Sequence, residues 1–364
     1  MLTIHPDTTI YVLCPAHIVT GGIEAVHQLV DKLRKFGHNA QIATLPRVAN
    51  PMLLQYRNYE VVFADAIEDS SRNILIATEV NPGELNSYSA IQKCVWWLSV
   101  DNHENNRDKF DFHGPASASV SHFAQSAYAR RFLQDKGVKS IHNLSDYLHA
   151  EYLRHLTPPK NDVILYTPVK GSDDLLRPLI EADSSLQWLP LKGMIRKQHA
   201  ATLRRGKVYV DFGSHPGKDR QPREAAVNGC CVVVGLRGSA TFQDDVPIPE
   251  PYKFDCRELQ SGVVLSTIRD CLAHHGQRQH HFQSYAESIR GEEQRFEEEV
   301  KRIFGVQRER NERRFTTATR NTLTYIQQNS PFSAMRGLAN ELVPLGPTNL
   351  ARRVYRQLAG RQGS

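Results

Sequence analysis

The sequence lacks any run of about 18 apolar residues, the length that a membrane-spanning helix needs, so we expect no transmembrane segment. Its first residues, MLTIHPDTTIYVLCP, show no basic stretch followed by an apolar core and a cleavage site, so we expect no secretory signal. There is no CxxC pair and no spacing typical of zinc ligands. The six cysteines are scattered, which indicates buried reduced thiols and a cytoplasmic protein.

Two groups of side chains resemble metal sites by residue type alone. His274-His275 and His280-His281 lie in a polar helical stretch without suitably spaced carboxylates, so surface histidines are expected. The pairs Asp173-Asp174 and Asp244-Asp245 do not have DxD spacing. We therefore expect no bound metal ion.

Length and composition favour a globular protein with two domains. The chain has 364 residues, of which 40% are hydrophobic and 23% charged, and this length exceeds what one hydrophobic core usually supports. Its charge is uneven, because residues 301–364 contain twelve Lys or Arg against three acids. Such a basic tail suits an anionic membrane surface, although a solvated helical face would explain it equally well. No nucleic acid partner is expected.

The segment 207–255 carries the most informative pattern of the chain. Val208–Phe212 has the length and β-branched character of a buried strand, and a loop rich in Gly, Pro and charge follows to Arg220. Arg223–Asn228 has a helical pattern that Gly229 ends, and Cys230–Val234 is the next predicted strand. This order predicts a strand–loop–helix–strand unit of an α/β sheet, with the loop at the carboxyl end of a strand, where such sheets bind ligands.

Glu224 lies in the predicted first turn of that helix, next to a loop dense in glycine and charge. A glutamate there also offsets the helix dipole, which is the simpler explanation. The neighbouring residues favour a ligand site: they are Gly217, Lys218, Asp219, Arg220 and Arg223.

The N-terminal part repeats this pattern. Ile10–Cys14 is a predicted strand, Gly21-Gly22 precede an amphipathic helix, and Ala40–Ala43 is the next strand. Two glycines at a helix start let a ligand approach free backbone N–H groups, although a tight turn alone would also select them. Further predicted strands are Val61–Ala64, Ile74–Ala77, Cys94–Val100, Ser117–Ser121 and Val138–Ile141.

Strands and helices alternate, which predicts parallel sheets. Ala124–Gly137 is a predicted helix, His149–Asn161 a linker stiffened by Pro158-Pro159, and a second sheet begins at Asp162. The stretch Glu292–Lys301 has acids and bases at helical spacing and is interpreted as a solvated helix face.

Two of these segments carry a family resemblance. PREAAVNGCCVVVG resembles the P-x-x-EA-x-x-x-G-x-PVV segment of retaining GT-B glycosyltransferases of the family 4 type. TGGIEAVHQLVDKLRKFGHNAQIAT resembles the first β–α–β unit of the same enzymes. The resemblance implies two Rossmann-like parallel-sheet domains that face a cleft, at 1–155 and 156–276, with C-terminal helices and tail at 277–364, part of which packs back on the first domain.

The resemblance also assigns roles to residues. Glu224 matches the glutamate that holds the donor ribose, and Lys170-Gly171 match a step whose lysine reaches the pyrophosphate. The turn containing Gly193 and Met194 matches one that contacts the nucleobase. The loop residues His215, Gly217, Lys218 and Arg220 complete the expected donor site. The resemblance places the glycine turn of Gly21 and Gly22 facing the cleft between the domains.

The chain departs from the family pattern at two places. Pro216 stands where the family usually has a second glutamate that contacts the donor sugar, so Asp219 or the loop backbone would have to replace it. No arginine precedes Lys170 closely, and Arg196 or Lys218 would have to supply that charge.

Asp101 and His103 follow a strand with two tryptophans and are further catalytic candidates. A carboxylate and an imidazole there would bind an acceptor hydroxyl or assist proton transfer, whereas loop polarity alone would also explain them.

The activity implied is a metal-independent, retaining transfer of a hexose from a nucleotide sugar to a hydroxyl of a glycan or lipid-linked acceptor, as in polysaccharide or cell-envelope synthesis. The nucleotide sugar is a co-substrate, and no cofactor is expected. A cytoplasmic enzyme, peripheral on the inner membrane face, would fit. Two alternatives stay open: a GT-B-like sugar-nucleotide epimerase, and a non-catalytic binding protein.

Overall fold

The computed structural model describes residues 2–48, 51–107, 109–115, 117–168, 173–256 and 262–307. Lys170, Gly171 and nearly all of the basic tail lie outside these residues. Within them, no helix is long and apolar enough to cross a membrane.

The described chain forms two parallel sheets. The strands of the first sheet are β1 (Thr9–Pro15), β2 (Asn39–Leu45), β3 (Ile74–Thr78), β4 (Gln92–Trp97), β5 (Ser121–Ala124) and β6 (Ile141–Asn143). Those of the second sheet are β7 (Asn161–Tyr166), β8 (Gln187–Pro190), β9 (Gly206–Asp211), β10 (Cys231–Gly235) and β11 (Lys253–Phe254). Their spatial orders are β2-β1-β3-β4-β5-β6 and β11-β10-β9-β7-β8.

Helices pack against these sheets. In the first half they are α1 (Gly21–Lys35), α2 (Val100–Glu104), α3 (Ala127–Asp135) and α4 (Ala150–Leu153). In the second half they are α5 (Asp173–Ala182), α6 (Arg196–Arg205), α7 (Arg220–Val227), α8 (Val263–Ala273), α9 (His275–Arg278), α10 (Gln283–Arg290) and α11 (Glu292–Phe304).

Capping residues and glycines in the sequence determine where the helices at the cleft begin and end. The Thr20 hydroxyl accepts a hydrogen bond from Ile23 N at 3.3 Å and caps α1, whose apolar face is buried against the first sheet. Gly37 and Gly229, which follow α1 and α7, have φ of +87° and +78°, the left-handed region that glycine adopts most easily.

The chain crosses between the two cores twice. Tyr147 belongs to the first core, and Leu148 and Tyr152 already pack in the second. After α10, which packs on the second core, α11 returns to the first core and buries Phe296 and Val300. The predicted solvated face of this helix is therefore wrong for part of its length.

Several predicted elements differ in the structure. Val61–Ala64 forms no regular strand and contributes one isolated bridge, between Phe63 and Ile42. Ser117–Ser119 is a short 3₁₀ turn, and β5 begins only at Ser121. The helix expected from Ala124 begins at Ala127, because Ala124 still pairs in the sheet.

Candidate active site

A cleft of about 1660 Å³ separates the two sheets at the carboxyl ends of their strands. Residues from β1–α1, β3, β4–α2, β8–α6 and β9–α7 line it. Pockets for single small ligands usually measure about 300–1,000 Å³, so this cleft has room for two substrates at once.

The glycine turn lies on the first-domain side of this cleft. Gly21 and Gly22 are the first two residues of α1, rather than preceding it as predicted. A Cβ atom on Gly21 would lie 2.9 Å from Cδ of Arg220 in the other domain. The turn therefore allows α7 to approach α1 closely.

The loop between β9 and α7 contacts the first domain through its backbone. A Cβ on Gly217 would lie 1.9 Å from the carbonyl oxygen of Leu98, and Lys218 N donates to Gln125 Oε1 at 3.2 Å. Only glycine fits where the two domains meet this closely.

Lys218 and Arg220, two of the predicted phosphate-binding cations, line the cleft but already have anionic partners. Arg220, the first residue of α7, pairs with Glu24 of α1 and lies 3.3 Å from Asp146. The ammonium of Lys218 lies 3.0 Å from Glu292. The cleft therefore contains carboxylates that neutralise the charges expected to bind a donor.

Arg223 joins these pairs into one buried network. Its guanidinium is fully buried and donates to both carboxylate oxygens of Asp146 at 2.9 Å and to Glu292 at 2.8 Å. Sequence reasoning missed Asp146 and Glu292, which are distant from α7 in the chain. Glu24 could have been recognised from the sequence, since it is an acidic residue in the first turn of the helix that follows the glycine pair.

Glu224 lines the cleft from the second turn of α7, because the helix begins at Arg220 and not at Arg223 as predicted. Burial raises the pKa of Glu224 to about 7, against the opposing effect of Arg220. The nearest described imidazole is that of His199, whose Nδ1 lies 3.7 Å from Glu224 Oε2.

His199 has one ring nitrogen engaged and one without a partner. Its Nδ1 lies 3.2 Å from the hydroxyl of Tyr152, whereas its buried Nε2 has no hydrogen-bond partner among the described residues. Burial lowers the pKa of His199 to about 4, so the ring is neutral at pH 7. Glu224 and His199 therefore lie side by side on the cleft wall.

Asp101 and His103 lie on α2, a short helix, rather than in a loop. Asp101 lines the cleft and accepts a hydrogen bond from the hydroxyl of Tyr128 at 2.7 Å. His103 is buried and outside the cleft lining: its Nε2 accepts from Phe110 N at 2.9 Å, and its Nδ1 lies 3.3 Å from Glu104 Oε1. The imidazole of His103 therefore has no access to a ligand in this arrangement.

Asp219 lines the cleft, whereas His215 is buried beneath it. Nδ1 of His215 lies 3.2 Å from Asp219 Oδ2, and its Nε2 faces Asp211. Burial lowers the pKa of His215, but the two carboxylates outweigh this effect and raise the pKa above its ordinary value. With φ of +45°, His215 shapes the loop and does not reach the cleft with its side chain.

The turn predicted to contact a nucleobase is present between β8 and α6. Gly193 has φ of +70° and Met194 lines the cleft. No group of three or more His, Cys, Asp or Glu side chains in the described ranges could hold a metal ion.

Glu79, at the end of β3, is a cleft residue that sequence reasoning missed. Its Oε2 accepts a hydrogen bond from Leu98 N at 2.9 Å, and burial raises its pKa to about 7. Nothing in its local sequence distinguishes it from other strand-end carboxylates.

No protein-family profile and no curated protein matches the chain. Solved structures do: HepE of Anabaena, in complex with UDP and glucose, aligns with a TM-score of 0.56 at 12% identity, covering 88% of this chain and 100% of that one. A glycosyltransferase of Rickettsia africae gives 0.53 at 12% identity, covering 90% and 100%. WaaG, a glycosyltransferase involved in lipopolysaccharide biosynthesis, gives 0.50 at 11% identity, covering 80% and 99%.

Sequence identities this low support a common fold but not a common reaction. The two parallel sheets, the cleft between them and the structural matches agree with the fold class predicted from the sequence. This protein has the GT-B fold of glycosyltransferases.

Proposed function

We propose that the protein is a glycosyltransferase that moves a sugar from a nucleotide-sugar donor to a hydroxyl acceptor. The observation that carries this proposal is the position of Glu224 and His199 in a two-substrate cleft, opposite the glycine turn of α1. The solved structures of HepE in complex with UDP-glucose and with UDP support a uridine nucleotide as the first donor to test.

Glu224 and His199 are the proposed ribose site. An ionised Glu224 would accept strong hydrogen bonds from the two ribose hydroxyls, with His199 beside it on the cleft wall. The side chain of Met194, farther along the same wall, would pack against the base.

The donor diphosphate has two sets of partners in the cleft. The N-termini of α1 and α7 offer backbone N–H groups and positive dipole ends, and Arg196, Lys218 and Arg220 offer charge. Glu24 holds Arg196 at 2.9 Å and also pairs with Arg220, so the diphosphate would have to displace this carboxylate or share its arginines. Lys170, the family's phosphate lysine, lies outside the described residues.

The transfer needs no protein base if it proceeds with retention. The acceptor oxygen bonds to the anomeric carbon, the bond from that carbon to phosphate breaks, and a leaving phosphate oxygen takes the acceptor proton. Cations and helix N-termini stabilise the charge on the leaving diphosphate. Retention, metal independence, transfer of a hexose and a role in polysaccharide or envelope glycan synthesis follow from the family resemblance and are part of the proposal.

A sugar-nucleotide epimerase is the second candidate. Glu24, Glu79 and Asp101 place three carboxylates on the cleft wall, the kind of group that acid–base chemistry on a sugar requires. An epimerase would change the sugar without an acceptor.

One assay separates the two. The protein is incubated with UDP-, GDP- and ADP-sugars, with and without an oligosaccharide mixture, and products are identified by mass spectrometry. Transfer predicts a glycosylated acceptor plus free nucleoside diphosphate. The buried variant Glu224→Gln should lose this product, whereas Glu181→Gln on the exposed face of α5 should retain it. An epimerised sugar formed without an acceptor, or no reaction with any donor, contradicts the proposal.

We also propose that the protein binds peripherally to an anionic membrane surface through its basic C-terminal tail. Sedimentation with anionic and neutral vesicles at low and high salt tests it, and equal pelleting on both lipids contradicts it.

A further inference from the structure

One part of the first-domain wall of the cleft, formed by the carboxyl ends of β3 and β4 together with α2 and Gln125, faces the loop that carries Gly217. We call this part the acceptor wall. It comprises Thr78, Glu79, Val80, Leu98, Ser99, Asp101, Asn102, Asn105 and Gln125. The rest of the first-domain lining, which includes Glu24 and Arg57, lies outside it.

The acceptor wall contains acidic and neutral polar side chains but no basic ones. Its polar members are carboxylates, amides and hydroxyls, and none of its nine residues is Lys, Arg or His. On the adjoining part of the second domain, the cleft cations Lys218 and Arg220 each pair with carboxylates. A phosphate or carboxylate placed at this wall would thus meet Asp101 and, above about pH 7, an ionised Glu79, with no cation among the nine residues to offset them.

Glu79 lies next to the part of this wall that contacts the second domain. Leu98 donates its N–H to Glu79 Oε2 at 2.9 Å, while the carbonyl of the same residue is the group that Gly217 approaches. Glu79 thus lies one residue away from the domain contact, where donor and acceptor must meet. Beside it, the buried hydroxyl oxygen of Ser99 has no hydrogen-bond partner within the described chain.

Asp101 and the amides extend the wall outward along α2. One oxygen of Asp101 accepts from Tyr128 at 2.7 Å, which fixes the carboxylate at the cleft surface. Asn102 and Asn105 are exposed on the same helix. Carboxylates and amides of this kind form paired hydrogen bonds with vicinal hydroxyls or with an amino group.

We propose that the acceptor wall binds an uncharged or amino-bearing sugar, with Glu79 and Asp101 accepting hydrogen bonds from groups that neighbour the hydroxyl that is glycosylated. This inference rests on the proposed function and specifies its acceptor class. Sugars that carry phosphate or carboxylate beside the reacting hydroxyl are excluded. The proton of the reacting hydroxyl leaves with the diphosphate, so Glu79 and Asp101 position the acceptor and remain unchanged.

The test is transfer from a labelled nucleotide sugar onto an array of immobilised glycans that are neutral, amino-bearing, phosphorylated or uronate-bearing. We expect label on the neutral and amino glycans at least tenfold above that on anionic glycans with the same sugar core. Asp101→Lys should reduce this ratio severalfold by placing a cation on the wall. Glu79→Gln and Asp101→Asn should raise the acceptor KM about tenfold and leave the donor Kd within twofold, with unchanged circular dichroism.

A donor titration on the same preparation shows whether a negative result concerns the proposed glycosyltransferase function or only the acceptor wall. If no nucleotide sugar binds, the proposed function fails and this inference fails with it. If a donor binds but label appears on anionic glycans equally or more strongly, or on no glycan at all, the inference alone is overturned. An unchanged acceptor KM in both Glu79→Gln and Asp101→Asn also overturns it.

Discussion

Gly217 of the β9–α7 loop lies against Leu98 of the first domain so closely that a Cβ atom would come within 1.9 Å of the Leu98 carbonyl oxygen. Two further contacts hold this arrangement: Lys218 N to Gln125, and Asp245, which accepts from Ala127 N at 2.7 Å at the start of α3. The domains therefore meet through the β9–α7 loop and Asp245 of the second domain, against Leu98, Gln125 and the start of α3.

Gly217→Ala should force the loop away from Leu98. The added methyl meets backbone rather than a flexible side chain, so we expect a loss of about 1–3 kcal/mol in the free energy of unfolding or an opened cleft. Transfer activity should fall at least tenfold, and urea unfolding and scattering at small angles report the two structural outcomes. Gly276→Ala, with open space around its Cβ, is the control. Equal activity of the two variants would contradict the domain contact.

Glu24→Gln should weaken the closed arrangement and free two arginines. Glu24 is buried and pairs with Arg196 and Arg220, and removing one member of a buried ion pair costs on the order of 3–5 kcal/mol. Because Arg196 then loses its carboxylate partner and Arg220 keeps only Asp146, UDP should raise the melting temperature more in the variant than in the parent. Asp7→Asn, at an exposed pair with Arg72, should change neither quantity. A variant with the parent's stability and the parent's shift in melting temperature on adding UDP would contradict a competition between Glu24 and the donor diphosphate for the two arginines.

Glu224→Gln should weaken donor binding at least tenfold. At pH 8, above its raised pKa, Glu224 is ionised, so losing the charge-assisted hydrogen bond costs on the order of 1.5–3 kcal/mol, while Gln preserves the volume of the side chain. Titration calorimetry with UDP-glucose and with uridine should show the same loss, because the missing contact is to ribose. A loss confined to UDP-glucose would place the ribose elsewhere.

The raised pKa of Glu224 also predicts a pH dependence of stability. Between about pH 4.5 and 7 the unfolded chain has this carboxyl ionised while the folded chain keeps it protonated, so stability falls as pH rises through this window. The effect of this one group is at most about 3 kcal/mol. From pH 5 to pH 8 the urea midpoint should fall further, or rise less, in the parent than in Glu224→Gln. An identical difference in both proteins would mean that the pKa of Glu224 is ordinary.

Arg223→Lys should destabilise the protein strongly although charge is conserved. A lysine cannot bridge Asp146 and Glu292 from one position, so one buried carboxylate loses its partner, which costs on the order of 3–5 kcal/mol. Arg131→Lys, at an exposed site beside Asp135, is the matched control. Similar urea midpoints for the two variants would show that the buried network is dispensable.

The sequence predicted what depends on local chemistry. The apolar spacing of α1, the glycine after α7 and the buried strand Val208–Phe212 are each determined within about fifteen residues of chain, and most strands and the sheet class followed from them. The prediction of a strand at Val61–Ala64 was wrong. A strand needs a hydrogen-bonded partner along its length, and in this segment only Phe63 forms a bridge, to Ile42.

The site was predicted less completely, because its electrostatics depend on distant residues. Lys218 and Arg220 were recognised as cleft cations, but their neutralisation by Glu292, Glu24 and Asp146 arises from parts of the chain that only the fold brings together. Glu292 was interpreted as part of a solvated face, since helical spacing does not reveal a buried arginine opposite one position.

The most direct test of the account is a calorimetric titration of the full chain with UDP-glucose, GDP-mannose and ADP-glucose. Donor binding in the cleft predicts saturable one-to-one binding of at least one of them, weakened at least tenfold in Glu224→Gln and unchanged in Glu181→Gln. Binding of none of the three to folded protein, or binding that Glu224→Gln leaves intact, would contradict the assignment of this cleft as a nucleotide-sugar site.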